Sequence, residues 1–158
     1  MSERPLWAPW RIEYIVGPKD DECVFCHPDS SLDETDRCFT LLNAFPYAPG
    51  HLMVAPRRHV SELEALDDQE LLELMQLSRR AILALRRGMS PDGFNVGLNL
   101  GKVAGAGIAD HLHLHVVPRW DGDNSFMPVL ADIHVVPQAL EATRAVVTEA
   151  LAEIDGER

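Results

Sequence analysis

Cysteine is scarce, basic charge is short, and no long apolar run occurs. The three cysteines, Cys23, Cys26 and Cys38, are too few and odd in number for a disulfide framework. Lysine and arginine total 14 against 25 acidic residues, a formal net charge of −11. Duplex binding needs a basic face, so no nucleic-acid partner is expected, although a local cationic pocket for a small anion stays compatible. No apolar stretch approaches the roughly 18 residues of a membrane span, so no membrane partner is expected. The opening residues, MSERPLWAPW, have no basic region followed by an apolar stretch as in a secretory signal. A cytoplasmic location is the expectation. Repeats and low-complexity segments are absent as well. What is present is 46% hydrophobic residues in 158, enough for one sizeable core and about one domain.

Two parts are expected: an aromatic N-terminal arm over 1–22, and one domain over 23–158. The arm holds Trp7, Trp10 and Tyr14, ring area that should dock on something. Residues 17–37 read as polar and turn-rich. Strands are expected at Cys38–Leu42, His51–Ala55, Phe94–Leu100 and His111–Val117, the first two joined by the Pro/Gly segment 43–50. A long helix should start at Asp67, whose N-cap is completed by Glu70 three residues on, and stop at Gly88. Leu71, Leu74, Met75, Ile82 and Leu85 form its core stripe, while Arg79, Arg80, Arg86 and Arg87 solvate its outer face. A second helix is expected over Pro137–Ile154. This order indicates an α+β domain with a mainly antiparallel sheet of about five strands, one long central helix and a C-terminal helix.

The informative segment is Asp110-His-Leu-His-Leu-His-Val-Val-Pro118. Alternation along a strand puts His111, His113 and His115 on one face and Leu112, Leu114 and Val116 on the other, toward the core. Same-face neighbours lie about 7 Å apart, too far to bond directly and near enough to line one site. A metal site built from these three rings alone is disfavoured, because a flat strand sets them on a line rather than around an ion.

The pattern His-apolar-His-apolar-His-apolar-apolar resembles the histidine-triad family of nucleotide hydrolases and transferases. Leu42-Asn43, Pro49-Gly50-His51, Val54-Ala-Pro56, His59, Phe94-Asn-Val-Gly-Leu-Asn99 and Pro118-Arg119-Trp120 extend the similarity over roughly 20–130. The segment Leu-Trp-Ala-Pro-Trp-Arg11 and Trp120 are most similar to the bacterial diadenosine-polyphosphate phosphorylase-like branch. The resemblance implies a nucleotidyl-histidine intermediate on His113, a neutral imidazole being nucleophilic near pH 7 without a separate base. It implies that His115 stabilises phosphate charge, that His51 lines the pocket, and that Asn43 meets ribose and Asn99 the phosphates. Gly107 stands where many relatives carry glutamine or serine. The backbone amides of Gly105, Ala106 and Gly107 still suit a phosphate cradle, and the missing side chain leaves phosphorolysis open beside hydrolysis. The expected activity is phosphorolysis or hydrolysis of a diadenosine polyphosphate. The alternatives are an adenosine phosphoramidate or adenylyl-conjugate hydrolase, and a non-catalytic nucleotide-binding module. A homodimer is expected because family members are commonly dimers. Trp120 and Phe126 are candidates for the base side of the pocket.

The resemblance also assigns Cys23, Cys26, His59 and His111 as ligands of a structural Zn²⁺, a closed tetrahedral set. From spacing alone the cysteine pair has rivals. Cys23-Val-Phe-Cys26-His27 matches the CxxCH haem-attachment pattern, and CxxC also serves thiol redox chemistry, which prefers a βαβ setting not seen here.

Overall fold

The computed structural model describes residues 23–28, 30–123 and 139–157. The arm with Trp7, Trp10 and Tyr14, and Phe126 with the start of the expected closing helix, lie outside the described residues. Five strands, β1 (Asp33–Glu34), β2 (Cys38–Leu42), β3 (Leu52–Pro56), β4 (Gly93–Leu98) and β5 (Leu114–Arg119), form one sheet in the order β1-β2-β3-β5-β4. Every neighbouring pair is antiparallel. Two α-helices complete the domain, α1 (Asp68–Met89) and α2 (Leu140–Gly156). This is the expected α+β arrangement.

Side chains alternate across the sheet, and that alternation creates two unlike faces. Cys38, Leu42, Leu52, Val54, Leu114 and Val116 join Leu74, Leu77, Leu85, Val147 and Leu151 in the main core. Each such aliphatic, once buried, contributes about 1.5–3 kcal/mol. Phe39, Met53 and Ala55 point to the opposite face and pack with Phe25 in a second, smaller cluster. His115 sits across from Met53 of β3 and Gly97 of β4, so it belongs to that second face. The helices therefore stabilise one side of the sheet and leave the other for chemistry.

Helix α1 begins as expected. The Asp67 side chain accepts from the Glu70 N–H, and the Glu70 carboxylate accepts from the Asp67 N–H, a reciprocal capping box. It does not stop at Gly88. Gly88 lies inside the helix, where a Cβ would come within 2.5 Å of Val146 Cγ1, so this glycine serves the α1–α2 contact. The left-handed cap is Ser90, at φ 49°. Met75 is 56% exposed rather than buried, because it falls on the same face as the exposed Leu72 and Leu83. Arg80 departs from its expected solvated role. Its guanidinium is only 11% exposed and bonds Asp33 at 2.5 Å and Asp155 at 2.8 Å, tying β1 and α2 to α1.

Three further boundaries shift. Asp33–Glu34 is a short strand inside the segment read as turn-rich, paired to Phe39 and Thr40. The fourth strand in chain order runs over Gly93–Leu98, leaving Asn99 beyond its end. The histidine strand begins at Leu114, so His111 and His113 lie on the chain leading into it rather than in the ladder. The alternation nonetheless holds in that lead-in, with Leu112 buried in the main core.

Candidate functional site

Two groups of side chains meet on the second face, one of sulfur and nitrogen ligands and one of imidazoles. The first is Cys23, Cys26, His59 and His111, whose candidate ligand atoms all lie within 4.8 Å of one another. His111 Nδ1 is 3.3 Å from Cys23 Sγ and 3.7 Å from Cys26 Sγ, and His59 Nδ1 is 3.2 Å from Cys26 Sγ. Zinc bonds of about 2.3 Å to sulfur and 2.0–2.1 Å to nitrogen would set tetrahedral S···N edges near 3.5 Å. The donors therefore fit the ion in type, number and spacing. His111 Nε2–H donates to the Pro56 carbonyl at 2.8 Å, which leaves the Nδ1 lone pair facing the sulfurs. Burial, then the neighbouring Cys23 thiol, raise the Cys26 thiol above its ordinary range, so two thiolates here call for a cation. A metal held by these four would staple the 23–26 turn to the residues before β3's neighbour, β5.

The second group is His113, His115 and His51, and main-chain atoms determine its tautomers. His113 Nδ1–H donates to the His111 carbonyl at 2.9 Å. The lone pair of His113 is thereby placed on Nε2, which has no hydrogen-bond partner among the described residues. His51 Nδ1 accepts the Tyr47 N–H at 3.1 Å, so its proton is on Nε2 and is donated to His115 Nδ1 at 2.8 Å. His115 must then carry its own proton on Nε2, and that atom is buried with no partner among the described residues. A bare lone pair and an unpaired N–H thus stand on adjacent rings, their centroids 4.9 Å apart. An unsatisfied buried donor costs about 1–3 kcal/mol, a cost a bound phosphate oxygen would relieve.

His51, His111 and His113 are buried and His115 is half-buried, and all four are shifted toward the neutral form. Burial, then the charges of His115 and His113, push His51 down to about 3. Burial, then His113, push His115 down to about 4. Burial lowers His113 and His111 too, against the carbonyl each one bonds. Neutral rings keep the nucleophilic lone pair available at physiological pH.

Local sequence explains the placement. Gly50 adopts φ +81°, and a Cβ there would meet Met89 Sδ at 2.8 Å and Leu85 Cδ2 at 2.9 Å. Glycine therefore lets the 43–50 turn close and deliver His51 beside β3. Asn43 is brought to the same place. Its Oδ1 accepts the Phe45 N–H at 2.8 Å, and its Nδ2 lies 3.3 Å from His51 Nδ1. Asn99 follows β4 directly, and the glycine-rich segment forms a 3₁₀ turn at Lys102–Ala104 closed by Gly105 at φ +91°. Ala106 N–H is bonded to the Gly101 carbonyl at 3.4 Å, so this amide is already engaged within the loop. Gly107 also has an interaction of its own. Trp120 is half-buried just past β5, its N–H donating to Asp123.

Two site residues escaped sequence reasoning. The Tyr47 ring stacks on His51 at 4.9 Å. Phe25, between the two cysteines, stacks on His113 at 4.8 Å and 26°. The only sequence signal for Phe25 is its place inside the CxxC turn.

The HIT domain model matches residues 26–122. An "AP-4-A phosphorylase" of Mycobacterium tuberculosis is 42% identical over 155 residues, covering 88% of this chain and 80% of that protein. An adenosine 5'-monophosphoramidase of Saccharomyces cerevisiae is 32% identical over 65% of this chain and 65% of its own length. Among solved structures, a zinc-bound histidine triad family protein from Mycobacterium smegmatis superposes with a TM-score of 0.70 at 28% identity, covering 87% of this chain and 98% of that one. The imidazole array lies within the matched region, and so do three of the four sulfur and nitrogen ligands. The chain belongs to the HIT family, as an enzyme of its nucleotidyl hydrolase and transferase class.

Proposed function

We propose that this protein cleaves a diadenosine polyphosphate, diadenosine tetraphosphate foremost, through a nucleotidyl group carried on His113. The observation that carries the reading is the tautomer pair: a free Nε2 lone pair on His113 beside an unpaired Nε2–H on His115. His113 Nε2 attacks the α-phosphorus, a P–N bond forms, and the bond to the bridging oxygen breaks. The leaving nucleotide departs with that electron pair. His115 Nε2–H donates to an α-phosphate oxygen and offsets the charge that develops there. His51 and Asn43 line the same pocket, Asn43 toward ribose. Asn99 is the side chain toward the phosphates, and the Gly105–Gly107 backbone can serve there only by releasing bonds such as those of the Gly105 and Ala106 amides to the Lys102 and Gly101 carbonyls. Inorganic phosphate or water then attacks the same phosphorus and releases His113. The 42% identity to the mycobacterial AP-4-A phosphorylase favours phosphate as the acceptor, in keeping with the absent side chain at Gly107.

Zinc at Cys23, Cys26, His59 and His111 would act structurally, holding His111 and the 23–26 turn. A homodimer is part of the reading: β4 is a sheet edge carrying the exposed Val96, and Leu72, Met75 and Leu83 form an exposed apolar stripe on α1. No helix among the described residues is long and apolar enough to cross a membrane. A cytoplasmic location is a separate part of the proposal.

The test is product analysis from diadenosine tetraphosphate. ADP plus ATP that appear only with phosphate present support phosphorolysis, and AMP plus ATP mean hydrolysis instead. His113→Ala should abolish turnover while the protein still binds AMP. Undiminished turnover in that variant refutes the assignment. Turnover of adenosine phosphoramidate alone would shift the substrate to the class cleaved by the yeast relative.

A further inference from the structure

The His113–His111 carbonyl bond settles which nitrogen faces outward, but it does not settle the plane of the ring. The imidazole torsion of histidine is broad and roughly two-fold, so the side chain itself leaves the ring free to rock or turn over. Something else must hold that plane. Phe25 is 1% exposed, and its ring lies nearly parallel to His113, at 4.8 Å and 26°. The same ring meets His111 at 5.2 Å and 48°. His115 closes another side of His113, edge-on at 69°. Phe25 is itself backed by Phe39, Met53 and Ala55 of the sheet. Its backbone sits in a turn closed by the Cys26 N–H and the Cys23 carbonyl at 3.0 Å. Such burial leaves the ring little surface for a ligand, so its flat side serves a neighbouring residue.

We propose that Phe25 is a positioning residue for His113: the cysteine turn delivers one aromatic face that fixes the imidazole plane and aims Nε2 at the phosphorus. This rests on His113 being the nucleophile. It adds a task for the turn beyond ligation, because the backbone that presents two sulfurs also presents the ring. The metal cluster and the nucleophile are thereby joined through a single side chain.

Phe25→Leu keeps the apolar volume and removes the flat face, whereas Phe25→Tyr restores it. Orientation losses of this kind are expected to lower kcat on diadenosine tetraphosphate about tenfold in Phe25→Leu, with KM and bound zinc unchanged. Phe25→Tyr should recover kcat to within about threefold of the parent. The second readout is independent of turnover. In protein labelled with ¹³C-histidine, relaxation of the His113 Cδ2–Hδ2 and Cε1–Hε1 bonds should report a rigid ring in the parent and in Phe25→Tyr and a more mobile one in Phe25→Leu. The Nδ1–H tautomer held by the His111 carbonyl should persist in all three. An unchanged kcat in Phe25→Leu overturns the proposal. A rise in KM alone does so too, since that would make Phe25 a ligand contact. Unchanged His113 ring mobility in Phe25→Leu overturns it as well, whatever happens to activity, metal content or thermal stability. If His113→Ala keeps its turnover, the nucleophile assignment fails, and the ring relaxation of His113 in the parent and Phe25→Leu still reports on the stacking contact.

Discussion

His115 offers a sharp test of the neutral imidazole array, through stability rather than catalysis. Its ordinary value of 6.5 drops to about 4 in the folded protein, chiefly from burial. Between those two pH values the unfolded chain takes up a proton that the folded one refuses. Stability is therefore full above pH 6.5 and declines as the pH falls toward 4. Each unit of pKa difference corresponds to about 1.36 kcal/mol, and integrating from pH 7.5 down to 5.0 gives a loss of about 2 kcal/mol from this one ring. His115→Asn removes the titration and keeps an acceptor near Nδ1 for the His51 Nε2–H. Urea unfolding, followed by intrinsic fluorescence, should show the parent losing about 2 kcal/mol more than the variant over that interval, a midpoint gap of about 1 M. Metal release and the uncoupled histidines act in both proteins and cancel in the difference. His51, whose pKa the His115 charge helps to lower, rises in the variant and can only reduce the variant's own acid loss, which widens the gap. Equal pH dependence in the two proteins would refute the claim that His115 is held neutral by its surroundings.

Two further outcomes are expected. Cys23→Ser should bind less zinc and unfold at least about 5 °C lower, because metal-site energy is largely folding energy; a chelator should lower the melting point of the parent and leave the variant unmoved. Arg80→Met should cost about 3 kcal/mol in chemical denaturation by stranding Asp33, which is only 15% exposed. Adding Asp33→Asn should recover part of that loss, and a fully additive double variant would show that the pair is not coupled.

Much of the scaffold was legible because short-range rules governed it. Cys38–Leu42 reads as a strand from its apolar run, and Asp67 with Glu70 reads as a helix start because both partners of the capping box are three residues apart. The triad reads as one site because strand alternation carries into its lead-in. What escaped depended on distant partners. Asp33–Glu34 is polar and becomes a strand only through β2, and Arg80 is drawn inward only because α2 brings Asp155 within reach. The end of α1 was misplaced because Gly88 answers to Val146 on another helix rather than to the local chain. The gathering of Cys23, Cys26, His59 and His111 was legible from the family resemblance, whereas the Phe25 stack and the His51–His115 bond needed three dimensions.

The carbonyl that receives the His113 proton belongs to the main chain of His111, not to its side chain. Substituting His111 would remove one of the four candidate metal-ligating side chains and yet leave that acceptor in place. Natural variation could therefore discard the proposed metal while preserving the His113 tautomer, since no mutation deletes a peptide oxygen. Metal retention and imidazole tautomer would thus answer to different parts of one residue, its ring and its peptide oxygen.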